Sequence, residues 1–324
     1  MKPIPPKALK TVLHSKRANI YYIDYCRLLL NGGRVEYVTD EGRRSLYWNI
    51  PIANSTVLLL GNGTSVTQAA MRELAKAGVL VGFSGGGGTP LFSANEVDFE
   101  VSWFSPQSEY RPTEYLQSWV SFWFDQAGRL SAAQEMQLLR INFTRTHWLG
   151  KGLKKDRFEV DHQELDRLLD RSIEQIGCAP DQTALLTEEA RLTKKLYRLA
   201  AEATGYGEFS RDKRGGGSDT ANRLIDYGNY LAYGLGATAT WVLGLPHGLS
   251  VLHGKTRRGG LVFDAADLIK DALILPLAFI SAMRGDEEQQ FRQCCIQSLL
   301  QNEALDFMID SLKEIASLGD KGAK

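Results

Sequence analysis

Residues 245–270 read LPHGLSVLHGKTRRGGLVFDAADLIK, and this stretch holds His253, a basic cluster and two aspartates. From Leu261 onward, apolar residues fill almost every position, which predicts the opening of a buried helix. Asp264 and Asp267 stand three residues apart and therefore lie on the same side of that helix. Two buried carboxylates cost several kcal/mol unless something pairs with them. A divalent cation, held together with a neutral imidazole, is one solution.

A structural interpretation of the same stretch stays open. In this interpretation, Asp264 caps the helix and His253 is a buried histidine whose hydrogen bonds are satisfied. The loop between the histidine and the helix is basic, so it is also a candidate for contact with phosphate. Its three cations are Lys255, Arg257 and Arg258.

The length and charge of the chain bound its fold and its partners. A chain of 324 residues exceeds the size of a typical single core, which predicts about two domains. Lys and Arg together number 38, and so do Asp and Glu. Because the chain has no overall basic charge, any site for a polyanion must be a local patch.

Three sequence features predict a cytoplasmic location. No run approaches the ~20 apolar residues of a membrane span. The N-terminus lacks the apolar core of a signal peptide. The four cysteines show no C-x-x-C spacing, and the adjacent Cys294 and Cys295 fall in a helical pattern that is typical of reduced core thiols.

The first hundred residues predict mainly β-structure. Short segments rich in β-branched, aromatic and leucine residues alternate with turn signals, of which Asn31-Gly32-Gly33 is the strongest hairpin signal. The spacing becomes helical over residues 65–77, with Ser65 as the expected cap. The predicted strands are 19–25, 26–30, 34–38, 46–50, 57–60 and 79–83.

Two glycine-rich turns in this region do not predict a nucleotide site. The turn at residues 61–63 follows a strand but lacks the third glycine of a dinucleotide-binding turn. The run at residues 85–88 lacks the Gly-Lys-Ser/Thr of a P-loop and the helix that follows one. We interpret the first as a structural turn and the second as a flexible loop.

From about Arg111 the apolar residues recur with a spacing near 3.6, which predicts helices. We assign Trp119, Phe122, Trp123 and Phe124 in the first helix to the core or to an interface, rather than to stacking on bases. The predicted helices span residues 113–127, 130–147, 161–176 and 187–203.

The fourth of these helices supplies two more carboxylates. Thr187 is its expected N-cap, which places Glu188 and Glu189 in the first turn, where the helix dipole favours negative charge. A basic, glycine-rich segment follows the helix, and it either closes on a polyanion or only connects helices. Its cations are Arg211, Lys213 and Arg214.

Several motifs follow one another in the order of a known family. Glu189 is followed by a small residue and, eight positions on, by Tyr197. Residues 222–224 read Asn-Arg-Leu, an Asn-x-Leu element, and residues 253–267 supply a His and an Asp-x-x-Asp pair. The segments LLLNGGRVEYV, IPIANSTVLLLGNGTSVT and LAKAGVLVGF follow the family's strands. On these motifs the chain resembles, over nearly its whole length, the CRISPR-associated adaptation integrases of the Cas1 family, and is most like their type I-F branch.

The resemblance implies an α+β fold. An N-terminal β-sandwich domain, residues 1–105, would serve dimerisation and partner contacts. A larger all-α-helical catalytic domain would follow over residues 106–318, and residues 319–324 would form a disordered tail.

The resemblance also implies a set of site residues. Glu189, His253 and Asp267 would bind Mg²⁺ or Mn²⁺, with the catalytic Asp264 beside them as a supporting acid or a further ligand. Glu188 would be left to cap its helix. The residues expected to bind DNA are Lys255, Arg257, Arg258, Arg211, Lys213, Arg214 and Asn222.

The implied function is that of a metal-dependent DNA endonuclease and integrase of CRISPR adaptation. It would insert short DNA fragments, the spacers, into the CRISPR array by attack of a 3′-hydroxyl on a repeat phosphodiester. The implied partners are double-stranded and branched DNA, a second copy of the chain, and a Cas2 protein, which in type I-F is fused to a helicase-nuclease. Two alternatives stay open, a structure-specific metal-dependent nuclease and a non-catalytic scaffold that holds DNA.

The chain departs from the family pattern at three positions. Ala190 stands where many members have glycine. Asn229 stands where several have tyrosine, and Tyr230 is displaced by one residue. Lys270 stands where arginine is frequent, which keeps the charge but loses the bidentate fork.

Overall fold

The structure is a computed structural model that describes residues 19–41, 44–83, 102–104, 111–211, 219–254 and 259–321. The chain divides into two compact units, Met1–Arg111 and Pro112–Lys324. The boundary predicted after residue 105 falls outside the described residues, so it stays a prediction. Among the helices that the structure describes, none is long and apolar enough to cross a membrane.

The first unit consists of two four-stranded sheets and one helix. One sheet has the strand order β1-β5-β7-β8 and the other β4-β3-β2-β6. The elements are β1 Asn19–Ile23, β2 Arg27–Asn31, β3 Arg34–Glu41, β4 Arg44–Asn49, β5 Ser55–Leu60, β6 Ser65–Val66, α1 Gln68–Lys76, β7 Leu80–Phe83 and β8 Ser102–Phe104, with a short 3₁₀ helix at Ile52–Asn54.

A shared apolar core joins these two sheets and α1, as the predicted β-sandwich requires. Leu28 of β2, Leu60 of β5 and Leu74 of α1 all lie in this core. β5 pairs in parallel with strands on both sides and is buried at every position, which is typical of a central parallel strand. The β2–β3 hairpin forms as predicted, with Gly32 and Gly33 at positive φ.

Two boundary predictions in this unit are wrong. The first strand ends at Ile23 and not at residue 25. Ser65 does not cap α1, because it pairs with β2 as part of β6. The cap is Thr67, whose hydroxyl accepts a hydrogen bond from the amide of Ala70.

The second unit is helical in its described part, which confirms the predicted fold class. The elements are α2 Glu114–Trp123, α3 Gln126–Leu149, α4 Lys151–Lys154, α5 His162–Gly177, α6 Gln182–Thr204, α7 Thr220–Val242, α8 Gly260–Ile269, a π-helical turn Lys270–Ile274, α9 Leu275–Arg284, α10 Glu288–Gln301, α11 Ala304–Ala316 and α12 Leu318–Lys321.

Helices α7 and α8 form the centre of this unit. All ten residues of α8 are buried, which explains why its sequence is apolar on every side. α7 approaches α8 closely at Gly236, where a Cβ atom would lie 2.6 Å from the carbonyl oxygen of Val262. A larger residue at this position would push the two helices apart.

The start of α6 differs from the prediction. Asp181 caps the helix through a hydrogen bond from the amide of Ala184, so α6 begins at Gln182. Thr187 is therefore not an N-cap, and its hydroxyl donates to the carbonyl of Thr183 inside the helix. Glu188 does not cap either. Its side chain lies in the second turn of α6, where it is buried and forms an ion pair with Arg191.

One further expectation stays open and another needs correction. Trp119 and Phe122 are buried, as predicted for core residues. Phe124 is 77% exposed because α2 ends at Trp123 and the chain turns before α3, so its assignment to an interface stays a prediction. The expected disordered tail begins inside α12, which packs against α2. Residues 322–324 lie outside the described part of the chain.

Candidate metal centre

Three elements bring the predicted ligands together. α6 carries Glu189, the loop before α8 carries His253, and α8 carries Asp267. One atom from each side chain can be chosen so that all three atoms lie within 4.8 Å of one another. The Nε2 atom of His253 is 3.6 Å from Oδ2 of Asp267 and 3.9 Å from Oε2 of Glu189. The residues that the sequence singled out therefore converge on one point.

Asp264 shapes the loop that carries the histidine. Its two oxygens accept hydrogen bonds from the backbone amides of Val251, Leu252 and His253 at 2.7–3.1 Å. The side chain lies in the middle of α8 rather than at its start, so it is not the helix cap of the structural interpretation. It is a fully buried carboxylate whose partners come from the loop.

The same carboxylate orients the imidazole. Oδ1 of Asp264 is 2.7 Å from Nδ1 of His253. Because an ionised carboxylate only accepts hydrogen bonds, this contact places the proton of a neutral imidazole on Nδ1. Nε2 is then left with a free lone pair, directed at Glu189 and Asp267. This carboxylate–histidine pair is the usual outer support of a metal-binding histidine.

Two tryptophans of α2 hold the beginning of the same loop. The indole nitrogen of Trp119 donates to the carbonyl of Leu249 at 3.0 Å, and that of Trp123 donates to the carbonyl of Ser250 at 2.8 Å. At the end of the loop, Gly260 lies against Ser250, and a Cβ atom there would come within 2.7 Å of the serine hydroxyl. The loop is therefore fixed at both ends.

Asp267 has buried oxygens that are available to a cation. Apart from an ion pair between Oδ1 and the ammonium of Lys270, neither oxygen accepts a hydrogen bond from the residues that the structure describes. Lys270 also lies over the ring of Tyr233, at 5.4 Å from its centroid. An under-coordinated carboxylate beside a free imidazole lone pair and a second carboxylate is a donor set that fits a divalent cation.

The charges around this point are not balanced. Burial raises the pKa of Glu189, and the nearby charge of Asp267 raises it further. Burial alone would also raise the pKa of Asp267, but Lys270, His253 and Arg140 outweigh it and hold that pKa below its usual value. For His253, burial opposes protonation, yet Asp264 and the two other carboxylates raise its pKa. The cluster therefore attracts positive charge.

A buried arginine, which the sequence analysis missed, completes the surroundings. Arg140 of α3 is only 2% exposed, and its Nη1 atom lies 3.4 Å from Oε1 of Glu189. Its Nε atom donates to Asp271 of the π-helical turn at 2.8 Å. Four carboxyl groups, those of Asp264, Asp267, Glu189 and Asp271, lie in this cluster with the two cations Arg140 and Lys270, and this excess of acids favours a bound divalent cation.

The residues that we expected to bind DNA are only partly described. Lys213 and Arg214, like Lys255, Arg257 and Arg258, lie outside the described residues. Asn222 is buried, and it exchanges hydrogen bonds with the Ser210 carbonyl and the Arg211 guanidinium. Arg211 also forms an ion pair with Asp226 and a hydrogen bond with Tyr197. Both side chains thus have partners inside the protein, and a direct DNA contact by Asn222 or Arg211 stays a prediction.

A comparison with protein families decides which family this site belongs to. The family model described as CRISPR associated protein Cas1 matches residues 24–314, which include every residue of the candidate centre. The chain belongs to the Cas1 family. The CRISPR-associated endonuclease Cas1 of Pseudomonas aeruginosa strain UCBPP-PA14 is 68% identical over 317 residues, which cover 98% of each chain. The Cas1 endonuclease of Pectobacterium atrosepticum strain SCRI 1043 is 65% identical, with 96% of each chain covered.

Solved structures share the Cas1 fold. The structure of a TtCas1–DNA complex aligns with a TM-score of 0.62 at 22% identity, over 92% of this chain and 91% of that one. A casposase bound to its integration product aligns with a TM-score of 0.69 at 12% identity, over 94% and 92% of the two chains. A Cas6-RT-Cas1–Cas2 complex aligns with a TM-score of 0.62 at 12% identity, over 94% of this chain and 35% of the longer one. At these identities the likeness supports the fold alone.

Proposed function

We propose that this Cas1 protein joins short DNA fragments to a CRISPR array at the centre formed by Glu189, His253 and Asp267. Family membership and two relatives of at least 65% identity that are named endonucleases make the chain a CRISPR-associated nuclease. The observation that supports the proposal most is the convergence of three ligand atoms on one point, one of them on a buried carboxylate with free oxygens.

The three side chains would hold one divalent ion, Mg²⁺ or Mn²⁺. Glu189 and Asp267 offer the oxygen ligands that these ions prefer, and His253 offers Nε2 because Asp264 engages its Nδ1 atom. When bound, the ion supplies Lewis-acid activation of the scissile phosphate and of the attacking hydroxyl. Lys270 keeps Asp267 ionised and supplies a positive charge beside the phosphate site.

The reaction is a phosphodiester exchange. A fragment's 3′-hydroxyl attacks a phosphorus atom in the repeat, the new P–O bond forms, and the repeat's own 3′-oxygen leaves and takes up a proton. One phosphodiester is broken and one is made, so no high-energy cofactor is needed. With water as the attacking group, the same centre acts as a nuclease.

The comparisons support DNA and a Cas2 protein as the partners. Double-stranded and branched DNA are the substrates, in line with the DNA complex of TtCas1 and the casposase product complex. A Cas2 protein is the assembly partner, in line with the Cas1–Cas2 complex. The resemblance to the type I-F branch adds a helicase-nuclease fused to that Cas2 protein. Attack on both strands of a repeat needs two centres, so we propose a homodimer that works in the cytoplasm.

A strand-transfer assay tests this function. The protein is incubated with its Cas2 partner, a plasmid that carries repeats, and DNA fragments with either a 3′-hydroxyl or a 3′-deoxy end. We expect joining only with the 3′-hydroxyl fragments, and none with Asp267→Ala. Asp310→Ala, an exposed acid of α11, is the matched control and should join normally. Cleavage without joining would favour the nuclease, and unchanged joining by Asp267→Ala would favour the scaffold.

A further inference from the structure

A buried ion pair lies directly behind the candidate metal centre. Arg140 and Asp271 are 2% and 5% exposed. The Nε and Nη2 atoms of the guanidinium both donate to Oδ2 of Asp271, and Nη2 also donates to the hydroxyl of Thr193 at 2.7 Å. Nη1 donates to Gln137 at 3.0 Å. Asp271 and Thr193 therefore engage Nε and Nη2, and Gln137 engages Nη1.

The Nη1 atom of Arg140 also lies close to a proposed metal ligand, Glu189. Nη1 of Arg140 is 3.4 Å from Oε1 of Glu189, longer than an ordinary hydrogen bond. An arginine that turned both of its terminal nitrogens toward this carboxylate would form a bidentate pair, which is the strongest contact the two groups can make. Such a pair would occupy the oxygens that a metal ion needs.

The π-helical turn is what presents Asp271 to Arg140. The amide of Leu275 donates to the carbonyl of Lys270, five residues back, and Pro276 has no amide to offer. The carbonyl of Asp271 is taken instead by the indole of Trp148 at 2.9 Å. Two side chains of α3 therefore bind Asp271: Arg140 donates to its carboxylate, and Trp148 donates to its backbone carbonyl.

From this geometry we infer that Asp271 is a positioning residue, which holds the guanidinium of Arg140 away from Glu189 and so keeps that carboxylate open to the metal ion. This inference rests on the proposed function. A buried guanidinium that loses its carboxylate partner must find another one, because an unpaired buried charge is costly. Among the described residues, Glu189 is the carboxylate within ion-pair distance of Arg140 besides Asp271, whereas Asp267 interacts with the guanidinium only at longer range.

The test measures Mn²⁺ binding directly, by titration calorimetry on the full chain. We expect Asp271→Asn to weaken Mn²⁺ binding by about tenfold or more, the usual loss when an outer support of a metal site is removed. The double variant Arg140→Gln/Asp271→Asn has the net charge of the wild type and no guanidinium, so it should recover most of the affinity. Asp170→Asn breaks another Arg–Asp pair of α3, with the more exposed Arg145, and should bind like the wild type.

A crystal structure of metal-free Asp271→Asn separates repositioning from a simple change of charge. It should show two nitrogens of Arg140 on the carboxylate of Glu189, and an unmoved guanidinium would overturn the inference. Unchanged affinity of Asp271→Asn, or a double variant as weak as the single one, would also overturn it. If Asp271→Asn does not fold, the double variant decides, since the inference requires it to bind Mn²⁺ nearly as well as the wild type.

Failure of the proposed function would look different. In that case the wild type would bind no Mn²⁺, or Glu189→Gln would bind it as tightly as the wild type does. Binding by the wild type that is lost in Glu189→Gln but kept in Asp271→Asn would leave the proposed function in place and remove only the role of Asp271.

Discussion

At the scale of single residues, Asp264 decides what His253 can do. One carboxylate receives three backbone amides and the imidazole, so it fixes the course of the loop and the tautomer of the histidine together. Asp264 is not the helix cap of the structural interpretation, but it does have the structural role of holding the loop. Asp264 is a structural acid with its hydrogen bonds satisfied, and this is what frees Nε2 of the histidine for a ligand role.

Replacing Asp264 by asparagine tests this dual role. The amide group has one acceptor oxygen in place of two, so it cannot serve both the backbone amides and Nδ1 of His253. We expect Mn²⁺ affinity to fall by about 10- to 100-fold, as measured by titration calorimetry. Asp310→Asn is the control. Wild-type affinity in the Asp264 variant would contradict the assigned role.

The pair Glu188 and Glu189 shows what helix spacing cannot predict. Glu188 and Glu189 are adjacent, and helix spacing alone could not choose between them. The resemblance selects Glu189, and in the structure that side chain lies near His253, while Glu188 pairs with Arg191, which also donates to the hydroxyl of Ser172. The wrong role for Glu188 follows from a wrong N-cap: the prediction placed the cap at Thr187, but the structure has it at Asp181.

At the scale of elements, short polar side chains cap several of the described helices. Aspartates cap α3, α5, α6 and α7 through hydrogen bonds from backbone amides, and the sequence identified one of these helix starts, at residue 161. The other boundaries were missed because polar residues at several neighbouring positions can all act as caps. Arg140 was missed for a related reason. A charged residue inside a long helix is usually solvated, and its partner Asp271 is 131 residues away.

The cap of α5 gives a prediction about pH. Hydrogen bonds from the amides of Glu164 and Gln163 lower the pKa of Asp161. A lowered pKa stabilises the fold above the unfolded value, about 3.9, and this contribution is lost as the pH falls through the folded pKa. We expect Asp161→Ala to lower the Tm at pH 7 but not near pH 2, as measured by circular dichroism. Glu174→Ala on the same helix should change neither value, and an equal loss at both pH values would contradict the cap.

The contact between α2 and the histidine loop gives a second prediction at this scale. Trp123→Phe keeps the ring but removes the donor to the Ser250 carbonyl. An acceptor left without its partner costs about 1–3 kcal/mol in the free energy of unfolding, which urea denaturation measures. Hydrogen exchange of the His253 amide should also quicken. Trp48→Phe, in the other unit, is the control. Unchanged exchange at residue 253 would show that the indole does not hold the loop.

At the scale of the whole molecule, the candidate centre lies within the helical unit. Glu189 lies on α6, which precedes α7 in the sequence, whereas His253 and Asp267 follow α7. The three side chains nevertheless meet at one point. The order of strands and helices could be predicted from periodicity, and the ligands from the family motifs. Their convergence could not, because it depends on close packing at positions such as Gly236.

A bound ion should therefore stabilise the helical unit. Binding to the folded state alone adds about 2.7 kcal/mol when the ion is at 100 times its Kd. We expect Mn²⁺ to raise the Tm of this unit in differential scanning calorimetry. The shift should vanish in His253→Ala. An equal shift in that variant would mean that the ion binds elsewhere.

The most direct measurement is anomalous scattering from a crystal soaked in Mn²⁺. We predict one strong peak at ligand distances of about 2.0–2.6 Å from Nε2 of His253 and from carboxylate oxygens of Glu189 and Asp267. A Mn²⁺ peak at other residues, with no peak at these three side chains at saturating Mn²⁺, would contradict the proposed metal centre.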